Sequence, residues 1–230
     1  MALSAQIEKV VGAGAEQLVN YNFTDIAAGT GVVEFYGGRL GDNVKASYAL
    51  LNNKFYSSRV LTDNDCASSA YVKYLDLDFD IEFNLPKTIN GNVLVNIPVG
   101  AQGLDPTTLY MFPAVRIRKW DGTTETELGY ASGGILYSPG LGDGDFIYGM
   151  GALGIPIINV NFKKGETLRV TAELWALNGL GTPAQQIFIG HDPQGRATSG
   201  YETTPTGNPQ LTFGTTPSVF TVQVPFKLNI

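Results

Sequence analysis

Charged side chains, cysteine and histidine are all scarce in this chain. Charged residues make up 16% of its 230 residues, against roughly 25% in an average globular protein. The net charge is −6, and lysine and arginine form no cluster longer than residues 116–119. The sequence therefore lacks the basic surface that binds nucleic acid. The single cysteine, Cys66, has no partner for an internal disulfide, so the fold does not depend on an oxidising compartment.

Long hydrophobic runs are also missing. No apolar stretch approaches the ~20 residues that a membrane-spanning helix needs. At the N-terminus, Glu8, Lys9 and Glu16 interrupt the apolar residues, which argues against a signal peptide. We therefore expect no membrane partner and synthesis in a cytoplasm.

Glycine, proline and aromatic residues, by contrast, are abundant, with Gly 28, Pro 12, Tyr 11 and Phe 12. Between the turns lie segments rich in Val, Ile, Tyr, Phe and Thr, several of which alternate with period two, as strands do. Strands are predicted at residues 32–38, 45–51, 55–61, 71–85, 91–100, 109–120, 125–132, 157–162, 166–177, 185–190 and 218–228.

This succession of strands without alternating helices predicts an all-β fold, an antiparallel jelly-roll-like β-sandwich. We assign it to one domain at residues 31–230. Residues 1–30 are predicted to form an N-terminal arm, with a short helix or extended segment at 3–20. The stretch 191–217 is dense in Gly, Pro, Thr and Ser and predicts a long surface loop.

One hairpin is predicted at residues 112–131. Asp121 and Gly122 lie between two strand-like segments there. An Asp-Gly pair readily adopts the positive φ angles of a type I′ turn, whose twist matches that of a hairpin.

A row of acids in the segment DLDFDIEF, residues 76–83, is the most conspicuous candidate for chemistry. Because alternate strand residues share a face, one side of this strand carries all four acids, namely Asp76, Asp78, Asp80 and Glu82. A glycosidase needs one carboxyl group with a pKa raised by burial, and calcium needs converging ligands. A straight, half-exposed strand offers neither. The row is interpreted as a solvent-facing surface, with Arg116 and Arg118 as cross-strand countercharges.

Neither the histidine nor the cysteine is predicted to be catalytic. His191 is the only histidine and lies where a strand passes into a turn, and no G-x-S-x-G nucleophile motif accompanies it. Cys66 lacks a metal-ligand spacing and is interpreted as an unreactive small residue.

Metal sites are not predicted either. Asp143 and Asp145 in the glycine-rich segment 140–154 lack the later glutamate of an EF-hand loop. The Asp63-Asn64-Asp65 triplet is interpreted in the same way, because turn aspartates commonly cap their own backbone. The sequence thus predicts no catalytic, cofactor-binding or metal-binding residues, and no cofactor.

Aromatic residues offer one further possibility, a platform on which sugar rings stack. Strand aromatics are more often core or interface anchors, so glycan binding is an alternative without a specific signal. Trp120, at the end of a hairpin strand, is the best exposed candidate in a set that also includes Trp175, Tyr110, Tyr130, Tyr137 and Tyr148.

The segments GVVEFYGG (31–38), ASYALLNNKFYSSRVLT (46–62) and LDFDIEFNLPKTINGNVLVNIPVG (77–100) resemble virion structural proteins of tailed bacteriophages. These are β-sandwich proteins that decorate or cement capsids or form head fibres, often as trimers. The resemblance covers about the first half of the chain and carries over no catalytic or binding residues.

The resemblance implies a non-enzymatic capsid-decorating homotrimer on the virion surface, with the major capsid protein or other virion proteins as partners. A glycan hydrolase, which would show a cleft holding two carboxylates of unequal pKa, stays open as one alternative, and two non-enzymatic roles stay open beside it. One is a single jelly-roll major capsid protein, although a basic arm facing the genome is absent because residues 1–20 contain only Lys9 as a basic residue. The other is a carbohydrate-binding module of a phage fibre.

Overall fold

The computed structural model describes residues 19–20, 30–41, 47–103, 107–141, 145–181, 185–196 and 218–227. The predicted helix or arm at residues 3–20 lies outside these residues except for a two-residue strand, and residues 197–217 of the predicted long loop lie outside them too. The strands are β1 Val19–Asn20, β2 Thr30–Leu40, β3 Ser47–Leu51, β4 Leu61–Cys66, β5 Val72–Glu82, β6 Lys87–Gln102, β7 Thr107–Trp120, β8 Glu125–Ser132, β9 Leu136–Leu141, β10 Phe146–Phe162, β11 Thr167–Asn178, β12 Gln185–Gly190 and β13 Phe220–Lys227.

These strands build two packed layers joined through β3. The hydrogen-bonded order is β4-β12-β6-β13-β2-β3-β5-β11-β7-β8, while β10 pairs with β6, β9 with β7 and β1 with β2. Every pair is antiparallel except β3–β5, which share only two register positions. We call β10, β6, β13 and β2 the first sheet, and β5, β11, β7 and β8 the second sheet. The predicted all-β, sandwich-like fold is confirmed; the domain boundary at residue 31 stays a prediction.

The core lies between the two sheets, and one aromatic contact shows how they meet. Phe79 of β5 stacks on Phe220 of β13 with ring centroids 4.4 Å apart. Both side chains are fully buried. Alternation explains this burial: Leu75, Leu77 and Phe79 occupy one side of β5 and are all buried.

Two long strands organise the layers. β6 pairs with β10 along almost its whole length, and its other edge pairs with both β13 and β12. β7 pairs with β11 on one edge and with β8 and β9 on the other. One edge of each long strand therefore pairs with two shorter strands in succession.

One predicted strand is wrong. Residues 55–61 were expected to be extended, but the strand β4 begins only at Leu61. The preceding segment instead wraps the end of β2. The Arg39 amide donates to Ser57 Oγ at 2.9 Å, and the Ser58 amide donates to the Arg39 carbonyl at 2.8 Å. Residues 57 and 58 thus hydrogen-bond to the end of β2 through Arg39, and they do not form the regular ladder of backbone bonds that defines a strand.

The glycine-rich segment 140–154 was interpreted as a turn, and this too is wrong for its described part. Residues 146–162 form the single strand β10. Its glycines allow neighbours to approach closely: a Cβ on Gly149 would lie 2.5 Å from the Leu136 side chain, and one on Gly151 would lie 2.7 Å from Pro113. The glycines here serve packing within a strand rather than a loop.

The hairpin at residues 112–131 is confirmed, with a different turn from the one expected. Trp120 pairs with Glu125, so four residues form the connection. Gly122 has φ of 98°, and the Asp121 carboxylate accepts the Thr123 and Thr124 amides at 2.9 and 2.7 Å. The aspartate thus caps the turn with its side chain, as turn aspartates commonly do.

Candidate interaction surface

The acid row lies where the alternation predicted. Asp76, Asp78 and Asp80 project from the outer side of β5, opposite the buried Phe79. The predicted assignment of faces is therefore correct.

The row does not simply face solvent, because neighbouring strands supply basic partners. Arg169 of β11 binds Asp80 through two hydrogen bonds of 2.8 Å. Arg118 of β7 lies 3.7 Å from Asp78, so one predicted countercharge is present. The other, Arg116, binds Glu173 and Glu127 instead. Arg169 was missed because its pairing depends on a register that β11 shares with both β5 and β7.

Glu173 lies at the centre of this network. It is fully buried, and its carboxylate accepts hydrogen bonds from Arg116 Nε at 2.7 Å and Trp175 Nε1 at 2.8 Å. Lys73 adds a cation 3.5 Å away. Burial alone would raise the pKa of Glu173, but the hydrogen bonds and nearby cations hold it below its usual value.

We call this surface the charged face. It is the outer side of the second sheet, where acidic and basic side chains of neighbouring strands neutralise one another. The groups form a lattice of ion pairs between strands, without a lone carboxyl poised for acid catalysis. Its members are Lys73, Asp76, Asp78, Asp80, Arg116, Arg118, Glu125, Glu127, Arg169 and Glu173.

His191 follows directly after β12, in the turn where it was predicted, but it is fully buried. Burial, aided by the Arg39 and Arg59 cations, lowers the pKa of His191 to about 4. Its Nε2 lies 2.9 Å from Thr62 Oγ1. An enclosed imidazole bonded to a threonine is not placed to activate a nucleophile for a substrate from solution.

The remaining predicted candidates are scattered. Cys66 is buried at the end of β4, and burial raises the pKa of its thiol. Asp63, Asn64 and Asp65 lie within the strand β4, not in a turn. Across the described ranges, no group of three His, Cys, Asp or Glu side chains could hold a metal ion. Asp143 lies outside the described residues.

Aromatic residues do cluster on the second sheet, though not around Trp120. Phe112 and Trp175 have parallel rings 6.2 Å apart, and Tyr71 packs on Phe112 at 5.6 Å. Tyr110 and Tyr137 form a second pair with centroids 4.9 Å apart. The aromatic surface therefore borders the charged face at its Trp175 end.

The outer side of the first sheet has the opposite character. We call it the uncharged face. Among the described residues at its centre only Glu34 has a carboxylate and none has a basic side chain, and Tyr36 Oη and Gln223 Nε2 both donate to the Glu34 carboxylate. Cations lie only at its border: Lys227 ends β13 on the same side as Gln223, and Lys54 Nζ lies 5.6 Å from the centroid of the Tyr36 ring. The register places the following side chains together on this face: Glu34 and Tyr36 of β2; Asn92, Leu94 and Asn96 of β6; Tyr148, Met150, Ala152, Gly154 and Pro156 of β10; Thr221 and Gln223 of β13.

Apolar side chains are exposed on the uncharged face. Leu94 and Met150 each retain 45% exposure. Beyond Met150 the face continues into a pocket between β10 and the β8–β9 connection, lined by Pro113, Gly133, Gly134, Ile135, Leu136, Met150, Gly151, Ala152 and Leu153. A sequence signal existed but was missed: the 17 residues of β10 contain no charged side chain.

No helix in the described part of the chain is long and apolar enough to cross a membrane.

Comparison with known proteins supports the fold but not a family. No protein-family model and no curated protein matches the sequence. Among solved structures, an α-amino acid ester hydrolase matches 84% of this chain at 10% identity, with a TM-score of 0.51. A CocE/NonD family hydrolase from Staphylococcus aureus matches 84% at 13% identity, with a TM-score of 0.44. The chain spans only 36% of the length of each hydrolase.

A virus particle protein is also among the matches. In the structure of the infectious bursal disease virus Gx strain, the match covers 92% of this chain and 53% of the viral chain, at 9% identity and a TM-score of 0.29. That similarity is compatible with a viral structural role and is too low to argue for one.

The expectation that the chain is not an enzyme is corrected by these neighbours. The ester hydrolase contains this fold within an enzyme, so missing sequence motifs in an all-β chain are not grounds for excluding enzymes. The absence of catalytic motifs does not exclude an enzyme, because a β-sandwich can be part of a hydrolase even when its own strands contain no catalytic residues.

Proposed function

We propose that this chain is a virion structural protein that decorates a capsid as a homotrimer, and that the uncharged face forms its protein contacts. The observation that carries the proposal is the near absence of charge on that face. Protein interfaces are depleted of charged residues at their centres, whereas free surfaces usually carry many.

The exposed apolar residues agree with this role. Leu94 and Met150 project from adjacent strands, because Leu94 pairs with Gly154 and Met150 with Pro98. Ala152 and Gly154, which follow Met150 on the same side of β10, leave low relief that suits close approach of a flat partner surface. The resemblance to tailed-phage virion proteins supplies the capsid and the trimer in this proposal.

The experiment compares charge insertions at two exposed positions. Ala152→Lys introduces a cation in the middle of the uncharged face. Leu180→Lys introduces one at a site that is 69% exposed in the turn after β11, away from that face. Native mass and co-sedimentation with capsids assembled without the chain are measured for both variants. Ala152→Lys is expected to abolish trimer and capsid binding, while Leu180→Lys behaves as wild type.

Two results would count against the proposal. The wild type could be monomeric at all concentrations and fail to sediment with capsids. Alternatively, both variants could bind equally well, which would remove the uncharged face from the contact.

The ester hydrolase likeness favours a second candidate, in which the chain is the β-sandwich part of a hydrolase. Since the sole histidine, His191, is enclosed, a histidine base for an external substrate would come from residues beyond this chain. Purified chain is assayed with p-nitrophenyl acetate, alone and after His191→Asn. This candidate predicts no turnover by the chain alone; turnover that is lost in His191→Asn would contradict both the enclosed geometry of His191 and the assignment of the base to residues beyond this chain.

A further inference from the structure

Three buried polar atoms without hydrogen-bond partners gather at one end of the sandwich. They are Arg39 Nε, His191 Nδ1 and Ser218 Oγ. The three residues are 9%, 0% and 1% exposed. Buried polar groups are nearly always satisfied, so three orphans in one place indicate a missing partner.

The fold brings these residues together through its strand register. Phe220 pairs with Gly37 in the antiparallel β2–β13 ladder, and continuing this register by two residues sets Ser218 opposite Arg39. The Asp192 amide, next to His191, donates to the Ser218 carbonyl at 3.0 Å. Arg39 also pairs with Tyr48 of β3, whose ring meets that of His191 at 5.3 Å.

Arg39 is the cationic member of the three. It carries a full charge on the core side of β2, at the mouth of the sandwich, yet no ion pair joins it to a carboxylate in the described ranges. The neighbouring Asp192 is already bound by Arg196 through contacts of 3.0 Å. The enclosed Nε–H of this guanidinium has no acceptor, and an enclosed donor without an acceptor is costly.

The histidine is oriented to act as a second donor. Tyr48 Oη lies 2.8 Å from Thr62 Oγ1, which lies 2.9 Å from His191 Nε2. If the hydroxyls donate in that order, Nε2 accepts and the proton of the neutral ring is on Nδ1. The low pKa of His191, caused by burial and nearby arginines, keeps the ring neutral. All three orphan atoms are then donors.

We propose that Arg39, His191 and Ser218 bind a small oxyanion, such as phosphate, sulfate or a carboxylate. Its oxygens accept from the guanidinium Nε–H, the imidazole Nδ1–H and the hydroxyl, and its charge neutralises Arg39. Guanidinium and oxyanion geometries match well, which makes such pairs strong. This site lies at the end of the sandwich and is independent of the capsid-decorating role.

The test uses inorganic phosphate at pH 7, with sodium chloride of equal ionic strength as the reference and sulfate and acetate as separate arms. The melting temperature of the wild type is expected to rise saturably in at least one oxyanion, by roughly 3 to 5 °C at ten times the Kd. Arg39→Gln should lose this rise. Arg118→Gln, which removes an arginine from the charged face, should keep it.

A second measurement does not depend on a folded variant. The single histidine gives one set of imidazole signals in the NMR spectrum of the wild type, and bound oxyanion should shift them with the same half-saturation as the melting temperature. The proposal is overturned if no oxyanion acts beyond chloride, if Arg39→Gln retains the full rise, or if the imidazole signals do not respond.

Discussion

The two outer faces of the sandwich differ sharply although both are built from antiparallel strands with the same alternation. On the charged face, acids and bases from neighbouring strands pair, as Arg169 does with Asp80. On the uncharged face, asparagine, threonine, glycine and exposed leucine or methionine occupy the corresponding outward positions. The ion pairs of the charged face suit contact with water, and the proposed assembly uses the uncharged face as its interface.

The two faces are stabilised in different ways. The charged face holds its own strands together across β5, β11, β7 and β8. The uncharged face has few interactions of its own between side chains, and its stability comes from the core beneath it. Mutations on the two faces should therefore act on different quantities, folding in one case and assembly in the other.

The largest expected effect on folding lies between the faces. Phe79→Ala removes a fully buried ring that stacks on Phe220 and should lower the free energy of unfolding by roughly 3 to 5 kcal/mol through loss of burial and a residual cavity. Urea denaturation followed by tryptophan fluorescence measures it. A loss below about 1 kcal/mol would mean that the two sheets do not pack through this pair.

The next largest effect belongs to the charged face. Glu173→Gln should cost roughly 2 kcal/mol, between the value of an exposed pair and that of a buried one, since Arg116 and Lys73 are partly exposed. The pKa of Glu173 is lowered by folding. Its stabilisation is therefore present above the unfolded pKa of about 4.3 and is lost as pH falls through the lower folded value.

Chemical denaturation at pH 7 and at progressively lower pH tests this prediction. The stability difference between wild type and Glu173→Gln should shrink as the pH falls below about 4. A difference that stays constant with pH would show that the glutamate acts through packing alone.

A smaller effect is expected at the exposed part of the same network. Asp78 accepts from Thr171 at 2.6 Å and is 40% exposed in its side chain, so Asp78→Asn should change the free energy of unfolding by about 0 to 1 kcal/mol. Thermal melts in low and high salt measure it. A cost above that of Glu173→Gln would invert the order that burial predicts.

The smallest effect on folding is expected on the uncharged face. Leu94→Gln replaces a side chain that is 45% exposed and should alter monomer stability by no more than about 0.5 kcal/mol, as most surface substitutions do. Denaturation of dilute protein checks this expectation. A loss of 2 kcal/mol or more would place Leu94 in the fold rather than at an interface.

Much of the fold was predictable from alternation, because burial of one strand side leaves a period of two. The strands β8 and β12 match the predicted segments 125–132 and 185–190. Prediction failed where the residue composition of a segment favours a different local structure from the one that tertiary packing imposes. The glycines of β10 suggest a turn. In the structure Gly149 packs against Leu136 and Gly151 against Pro113, and these contacts with other strands are not visible in the local sequence.

The surfaces were less predictable than the strands. The acidic side of β5 followed from alternation, but the pairing of Asp80 with Arg169 and the position of Glu173 beside Asp76 depend on the β5–β11 register, which one sequence does not specify. The burial of His191 depends on Tyr48 and Phe79 from other strands. Such contacts arise from tertiary packing and leave no local pattern.

The most direct test of the account is the native mass of the wild type and of Ala152→Lys over a wide range of concentration. The account predicts a trimer for the wild type and a folded monomer for Ala152→Lys, with equal melting behaviour of the monomers. Leu180→Lys should remain trimeric. A wild type that stays monomeric throughout, or an Ala152→Lys variant that assembles as well as wild type, would contradict the claim that the uncharged face is the assembly surface.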